Sequence, residues 1–379
     1  MRVKLEFIIL FLFSIYGYGD VTLVLSLLAS FVYICLYRSR IGIYINSRSR
    51  KIIFILYMVI VFYTALSFFL PEHFLAAYFD RDILHFKIVG RLVLLLNIIL
   101  IVAIFRKNSF NLAIKKLLLI NVLLFYTQFF VYFIFGYNID IIGFVTGEDQ
   151  RNLYLGYYRP GGFYQEPSDY AMVVITLLLV RFFDGIGVNK LNLFAILSVA
   201  LTFSTAAFLS IALLSIAFML KFKLYNHKYF VLAFITIVVP VMTSAAIFQM
   251  KRFQNDDNLL ESRAFEIRQQ IVNYTFDRKI DDPNFYFGEG IYSYNLDKIV
   301  NNLTTDQMSS INDVGLGFTF IFRLGLVGVT FMLYLFLINR ISTVNKIAML
   351  SLLVMKFSLF SGLIYIPLVY SLVRSKNES

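Results

Sequence analysis

The chain has 379 residues, of which 59% are hydrophobic and 15% are charged. A soluble domain of this size cannot bury so large an apolar fraction, because much of its surface stays in water. Its net charge of +11 comes from basic residues in short clusters between apolar runs, a pattern that indicates membrane topology and not nucleic-acid binding.

Apolar runs of roughly 15–22 residues predict transmembrane helices. In the first part of the chain they lie at about 5–17, 21–37, 52–70, 88–105 and 117–136. A dense basic cluster between Arg38 and Lys51 follows the second run, and short loops rich in Lys and Arg stay cytoplasmic. We therefore expect the N-terminus to be cytoplasmic, with an uncleaved first helix.

An external segment, 137–168, leads into a sixth predicted span at about 169–183. Residues 191–220 are apolar except for a polar break around Thr202 and Ser204, so we predict two short helices that turn near Ser204. A ninth span is predicted at about 229–248, which completes a first region of residues 1–248.

The character of the chain changes in residues 249–313, which are charged and aromatic and predict a large external loop with a helix at 258–275. Its basic residues are compatible with an external position, because the positive-inside rule governs short loops. The last region, 314–379, predicts a tenth span at 314–338 and two short helices within 347–373, broken near Ser361-Gly362. The fold class is thus an all-α polytopic membrane protein of about twelve spans, with ten or eleven as alternatives.

No nucleotide-binding loop and no metal-ligand spacing occurs in the sequence. The three histidines are scattered, and the single cysteine, Cys35, lies inside an apolar run. We therefore expect neither a metal nor another cofactor, and an ATP-driven machine is disfavoured.

The most informative stretch is 159–171, at the external face where the sixth helix begins. Pro167 suits the first turn of a helix, which places Glu166 near the N-cap and Asp169 in the first turn. Gly161 and Gly162 permit a positive φ and a close approach of a ligand to the backbone.

A helix N-terminus beside an arginine, here Arg159, favours a phosphate-like anion. An alternative is purely structural. In that interpretation Glu166 and Asp169 cap their own helix and Arg159 pairs with one of them.

The residues Arg159-x-Gly161-Gly162-Phe163-x-x-Glu166-Pro167-Ser168 resemble the Arg-x-Gly-Gly-Phe-x-x-Glu-Pro-Ser motif of Wzy-type polymerases, in the O-antigen and capsule polymerase/ligase superfamily. The layout of spans and a large late loop is similar to that family. Three weaker similarities are Thr202-x-Ser204, Gly288-x-Gly290 and Gly325-Leu326-Val327-Gly328.

The resemblance implies a GT-C-like helical fold and a metal-independent glycosyltransferase at the outer face of the bacterial cytoplasmic membrane. Such enzymes join oligosaccharide repeat units carried on undecaprenyl diphosphate into O-antigen, capsule or exopolysaccharide. The expected partners are the lipid-linked donor and acceptor glycans, the lipid bilayer and a separate chain-length regulator, with no nucleic acid.

The same resemblance suggests roles for individual residues. We expect Arg159 to stabilise the departing diphosphate and Glu166 to take the proton of the acceptor hydroxyl or to grip a sugar hydroxyl. Arg263 in the large loop is a third catalytic candidate. The substrate-binding candidates are Gly161, Gly162, Asp169, Arg252, Arg268, Arg278 and Arg323.

Alternatives exist for the basic residues. Arg263 and Arg268 also fit a solvated helix in which they pair with acidic neighbours. Arg323 lies within the tenth span, so we expect it to face the protein interior, toward the lipid diphosphate or a carboxylate such as Asp313.

Two other functions compete with polymerisation. A ligase of the same superfamily is disfavoured because the late loop lacks the histidine that ligases carry, with Asn312 or Asp313 as weak substitutes. A lipid-linked oligosaccharide flippase is disfavoured because the charges gather in two external loops and not along many spans.

Overall fold

The structure is a computed structural model. It describes residues 2–15, 20–37, 81–105, 107–146, 149–154, 157–226, 259–290, 314–334, 342–357 and 361–374, with isolated positions between 54 and 65 and at 243. The predicted spans at 52–70 and 229–248 therefore lie largely outside the described residues.

The described chain is almost entirely helical, and its helices run in the following order. They are α1 (Arg2–Ile15), α2 (Asp20–Tyr37), α3 (Arg81–Ile104), α4 (Lys107–Phe135), α5 (Ile141–Thr146), α6 (Pro167–Phe183), α7 (Lys190–Ala200), α8 (Thr205–Lys221), α9 (Leu259–Phe276), α10 (Pro283–Phe287), α11 (Leu316–Leu333), α12 (Thr343–Val354) and α13 (Gly362–Arg374). Two short strands, β1 (Leu153–Tyr154) and β2 (Tyr157–Tyr158), form an antiparallel hairpin before α6.

Several helices have the surface of a membrane protein. Within the described residues, α4 and α11 are long and apolar enough to cross a bilayer, and seven shorter helical stretches are also apolar. Their outward sides expose large apolar side chains, such as Phe31 on α2 and Phe133 on α4, which are 65% and 60% exposed. The described chain is thus all-α, and its apolar helices with exposed apolar side chains are of the kind found in membrane proteins.

Two predicted helix breaks are confirmed. Helices α7 and α8 are separated by a turn at 201–204, in which Phe203 has a φ of 50° and Ser204 is the N-cap of α8. Helices α12 and α13 are likewise separate, and α13 begins at Gly362. The predicted helix at 258–275 is confirmed as α9.

Two predicted helix starts are wrong. Helix α4 begins at Lys107 and not near 117, and its first turns are amphipathic, with Ile114 buried while Lys115 and Lys116 are exposed. Helix α3 begins at Arg81 and not near 88. Hydropathy detects only the apolar part of a membrane helix, whereas backbone hydrogen bonding continues into its polar end.

Helix α6 is the centre of the bundle. It packs against α4, α7, α8, α12 and α13, and its residues 173–183 are all buried. A helix that is apolar around its whole circumference is stable only when other helices surround it. The position of its first turn, where the motif ends, is therefore fixed by the packing of the whole bundle.

The carboxylate of Asp184 holds the C-terminal end of α6 against two other helices. Asp184, whose side chain is 5% exposed, accepts a hydrogen bond from Tyr370 Oη at 2.7 Å and another from Asn111 Nδ2. Its Oδ1 also lies 3.1 Å from Lys107 Nζ. Asp184 thus joins the end of α6 to α4 and α13.

Replacement Asp184→Ala is expected to lower the free energy of unfolding by about 1–3 kcal/mol, because it leaves the buried Tyr370 hydroxyl and the partly buried Asn111 amide without this acceptor. Thermal unfolding of the detergent-solubilised protein measures the change. Asp281→Ala removes an exposed acid and is the matched control. Equal unfolding temperatures for the two variants would contradict the proposed fastening.

Candidate functional site: the motif loop before α6

The loop that carries the motif is built on the β1–β2 hairpin. Leu153 pairs with Tyr158, and the pairing continues where the Arg159 main-chain N–H donates to Asn152 O at 2.7 Å. Tyr158 stacks on Tyr132 of α4, with ring centroids 3.8 Å apart. Burial, followed by the charges of Tyr132 and Asp140, raises the pKa of Tyr158 to about 12, so its phenol stays neutral.

The amide of Gln150 holds the two ends of the loop together. Its Nε2 donates to Gly162 O at 3.0 Å and to Tyr164 O at 2.6 Å. Its Oε1 accepts from Asn152 Nδ2 at 2.8 Å, and its main-chain N–H donates to Asp140 Oδ2 at 2.7 Å. Because Gln150 is buried, these bonds replace the water that would otherwise hydrate the loop carbonyls.

A second amide, Gln128 on α4, connects this loop to the bundle. Its Oε1 accepts the Gly162 main-chain N–H at 2.8 Å, and its Nε2 donates to Gln150 Oε1 at 2.9 Å and to Ile139 O at 3.0 Å. The partners of Gln128 thus lie in the loop and not on another helix.

The two motif glycines make close packing of the loop possible. Gly162 has a φ of +61°, and a Cβ there would lie 2.9 Å from the ring of Tyr170. A Cβ on Gly161 would lie 2.6 Å from Tyr164 O. The space next to both glycines is therefore occupied by the protein itself, and binding of substrate by their backbone stays a prediction.

Aromatic residues of the motif are inserted between helices. Tyr164 Oη donates to Ser14 Oγ of α1 at 3.2 Å, and burial raises the pKa of Tyr164 well above its usual value. Tyr170 stacks on Phe125 of α4 at 4.7 Å and shares a 2.7 Å hydrogen bond with Ser198 of α7. The motif is thus fixed on three sides.

Glu166 is the N-cap residue of α6, but its side chain does not cap the helix. Its Oε1 lies 2.7 Å from Arg151 Nη1, and its Oε2 accepts from Ser168 Oγ at 3.1 Å. The capping interpretation of Glu166 is therefore wrong. Its carboxylate is 38% exposed and lies beside a guanidinium that the sequence did not single out.

The other motif residues lie close to Glu166 in the chain. Arg159 is partly buried two residues before Gly161, and Asp169 lies in the first turn of α6 with its main-chain N–H bonded to Glu166 O at 3.0 Å. Five predicted residues therefore lie in one continuous segment, formed by the loop and the first turn of α6. They are Arg159, Gly161, Gly162, Glu166 and Asp169.

A second polar cluster joins the large loop to a broken helix. Arg278 Nη2 lies 3.2 Å from Glu289 Oε1, and their side chains are 4% and 2% exposed. Arg278 also donates to Phe322 O at 3.2 Å, and Tyr274 Oη donates to Glu289 Oε1 at 2.7 Å. Burial, and then the hydrogen bond to and charge of Glu289, raises the pKa of Tyr274, so the phenol stays a donor.

The broken helix is α11, which departs from helical geometry at Gly325 with φ 56° and ψ −142°. The loop uses this break, because the main-chain N–H groups of Glu289 and Gly290 donate to Phe322 O and Arg323 O at 3.0 Å. A Cβ on Gly325 would lie 2.6 Å from Gly288 N. The two glycine elements noted in the sequence are therefore in direct backbone contact.

Two of the basic candidates, Arg278 and Arg323, lie in this second cluster. Arg323 is partly buried and its Nη1 donates to Gly290 O at 3.4 Å, whereas Arg278 directs its donors into the protein. Arg268 is a partly buried residue of α9, and Arg263 lies on the same helix with a side chain outside the described residues. Arg252, Asn312 and Asp313 also lie outside them.

In the part of the chain that the structure describes, no group of three or more His, Cys, Asp or Glu side chains is placed to hold a metal ion. Compared with protein-family models, curated proteins and solved structures, the chain matches none significantly.

Replacement Gln128→Leu is expected to lower the free energy of unfolding by about 1–3 kcal/mol, because the buried Gly162 N–H and the Gln150 amide lose their partner. Thermal unfolding and limited proteolysis at 149–166 measure the effect. Thr127→Val on the same helix, at an exposed position, is the control. If both variants resist heat and protease equally, Gln128 does not hold the loop.

Replacement Gly325→Ala is expected to release the large loop from α11, because a positive φ alone costs a non-glycine residue roughly 1–3 kcal/mol and the new Cβ overlaps backbone. Hydrogen exchange at residues 284–290 measures the release. Gly317→Ala is the control, since a Cβ there has no neighbour closer than 3.5 Å. Unchanged exchange in Gly325→Ala would show that the break is not needed for the contact.

Proposed function

We propose that this chain is a multi-pass glycosyltransferase that polymerises undecaprenyl-diphosphate-linked oligosaccharide repeat units into surface polysaccharide. The observation that carries the proposal is the placement of Glu166. Its carboxylate stands at the N-terminus of the central helix, bound by Arg151 and Ser168 and not used as a cap. A carboxylate held beside an arginine at a helix N-terminus suits a reaction in which a hydroxyl loses a proton and a diphosphate departs.

The proposed topology has about twelve spans, with both termini in the cytoplasm and the two polar clusters outside. The charges around α6 support this orientation. Lys107, Arg181 and Lys221 gather at its C-terminal end, where Lys221 Nζ donates to Phe182 O at 2.8 Å. Since basic residues favour the cytoplasmic side, the opposite end of α6, with Glu166, faces outward.

The proposed reaction is a single displacement. The oxygen of the acceptor hydroxyl attacks the anomeric carbon of the donor glycan, and the bond from that carbon to the diphosphate oxygen breaks. Glu166 receives the hydroxyl proton, and undecaprenyl diphosphate leaves with the bonding electron pair. Arg159 supplies positive charge where the leaving group gains negative charge. The donor already carries the required free energy in the bond between its anomeric carbon and the diphosphate.

The proposal predicts that Arg159→Ala and Glu166→Gln each abolish long-chain polysaccharide while the protein still accumulates in the membrane. Each variant loses a group that acts on the transition state, so we expect a fall in rate of about 100-fold or more. The length distribution of surface glycan in a strain that expresses only the variant measures the effect. Asp149→Asn, which neutralises an exposed acid of the same loop, is expected to retain the normal ladder.

A normal ladder in Arg159→Ala at normal protein level would refute the role of Arg159. If Glu166→Gln alone retained full-length polymer, the proton would be taken by another group, and Glu166 would be left with a role in binding sugar.

A further inference from the structure

Arg151 is a charged residue of the site that the motif does not include. Its Nη1 lies 2.7 Å from Glu166 Oε1, although fifteen positions separate the two residues. The main-chain N–H of Arg151 donates to Gln165 O at 3.0 Å, directly before Glu166. The backbone of Arg151 is therefore fixed next to the catalytic candidate.

The side chain of Arg151 is much less constrained than its backbone. It is 71% exposed, whereas the next residue, Asn152, is fully buried and hydrogen-bonded to Gln150 and Asn138. An ion pair at such a position contributes little to stability, because water and salt screen it. A guanidinium held by so weak a contact can leave the carboxylate for a stronger anionic partner.

A diphosphate is such a partner. The planar guanidinium offers several N–H donors that bind two phosphate oxygens at once, and a diphosphate carries more negative charge than one carboxylate. The N-terminus of α6 lies beside the same position and adds its partial positive charge. The surroundings of Arg151 therefore favour exchange of the carboxylate for a phosphate group.

We infer that Arg151 is a diphosphate-binding residue that exchanges partners, an inference that rests on the proposed function. Without donor, Arg151 neutralises Glu166. When the donor binds, its diphosphate takes over the guanidinium, and Glu166 is left with Ser168 and becomes available to accept the hydroxyl proton. The exchange couples occupation of the donor site to the activation of the base, and no covalent bond changes in this step.

Competition between Glu166 and phosphate gives the inference a specific test. The full-length protein in detergent micelles is titrated with inorganic pyrophosphate, and binding is measured for four forms: the unmodified protein, Arg151→Ala, Glu166→Gln and the double variant. We expect Arg151→Ala to weaken binding about tenfold, because a charge-assisted phosphate contact is lost. We expect Glu166→Gln to strengthen it about two- to fivefold, because the competing carboxylate is removed.

The double variant decides whether the two effects are linked. If Glu166 competes for Arg151, the gain from Glu166→Gln disappears when Arg151 is already alanine. Lys279→Ala removes an exposed cation of the large loop and is expected to leave binding within twofold. Arg151→Lys keeps the charge and is expected to bind pyrophosphate with intermediate affinity. That result would show that the loss in Arg151→Ala does not come from misfolding.

Four results would overturn the inference: no pyrophosphate binding by the unmodified protein, Arg151→Ala equal to Lys279→Ala, binding in Glu166→Gln that is not stronger, or a gain from Glu166→Gln that persists in the double variant. None of them depends on polymer formation. If the protein makes polymer but gives one of these results, only the proposed exchange of partners by Arg151 is refuted. If the titration gives the expected results but the protein makes no polymer, Arg151 is still a phosphate-binding residue and the proposed function is refuted.

Discussion

The paired amides of Gln128 and Gln150 are the constraint on which the rest of the site depends. The motif loop is irregular backbone packed among apolar helices, where unsatisfied N–H and C=O groups are costly. The two glutamines satisfy the N–H of Gly162 and the carbonyls of Gly162 and Tyr164 at once. With those groups satisfied, the loop can remain non-helical up to Glu166 and then begin α6 at Pro167.

The packing of the helix bundle also fixes the position of Glu166 and the first turn of α6. Since α6 is surrounded by other helices and fastened at its far end by Asp184, its first turn has a defined position relative to the loop. The large loop is fixed in a different way, by a buried ion pair and by backbone contact with the break in α11. Both polar clusters are therefore attached to apolar helices, as the proposed alignment of two lipid-linked substrates requires.

Much of the helical framework could be predicted, because apolar runs and polar breaks are local signals. The turn at 201–204, the separate helices α12 and α13, the helix α9 and the start of α6 at Pro167 all follow from nearby residues. The start of α4 could not be found by hydropathy, since its first turns are amphipathic. The signal for the earlier start was the helical spacing of the apolar residues within 110–117.

In the motif loop, only the residues of the motif itself could be predicted from the sequence to belong to the site. Gln150 and Arg151 are polar residues in a polar segment, and nothing nearby in the sequence tells that one is buried and the other bound to Glu166. Arg278 and Glu289 are eleven positions apart, and their pairing depends on the break at Gly325. Such partners are set by tertiary packing, which neither spacing nor composition records.

The most direct test of the central claim is the length of glycan on surface and lipid carrier in a strain that lacks this gene. The account predicts single repeat units at the surface with no longer chains, and restoration of the ladder by the intact gene. Long chains stranded on undecaprenyl diphosphate would contradict it and indicate a ligase, whereas repeat units trapped inside the cell would indicate a flippase. An unchanged ladder would separate the protein from polysaccharide assembly altogether.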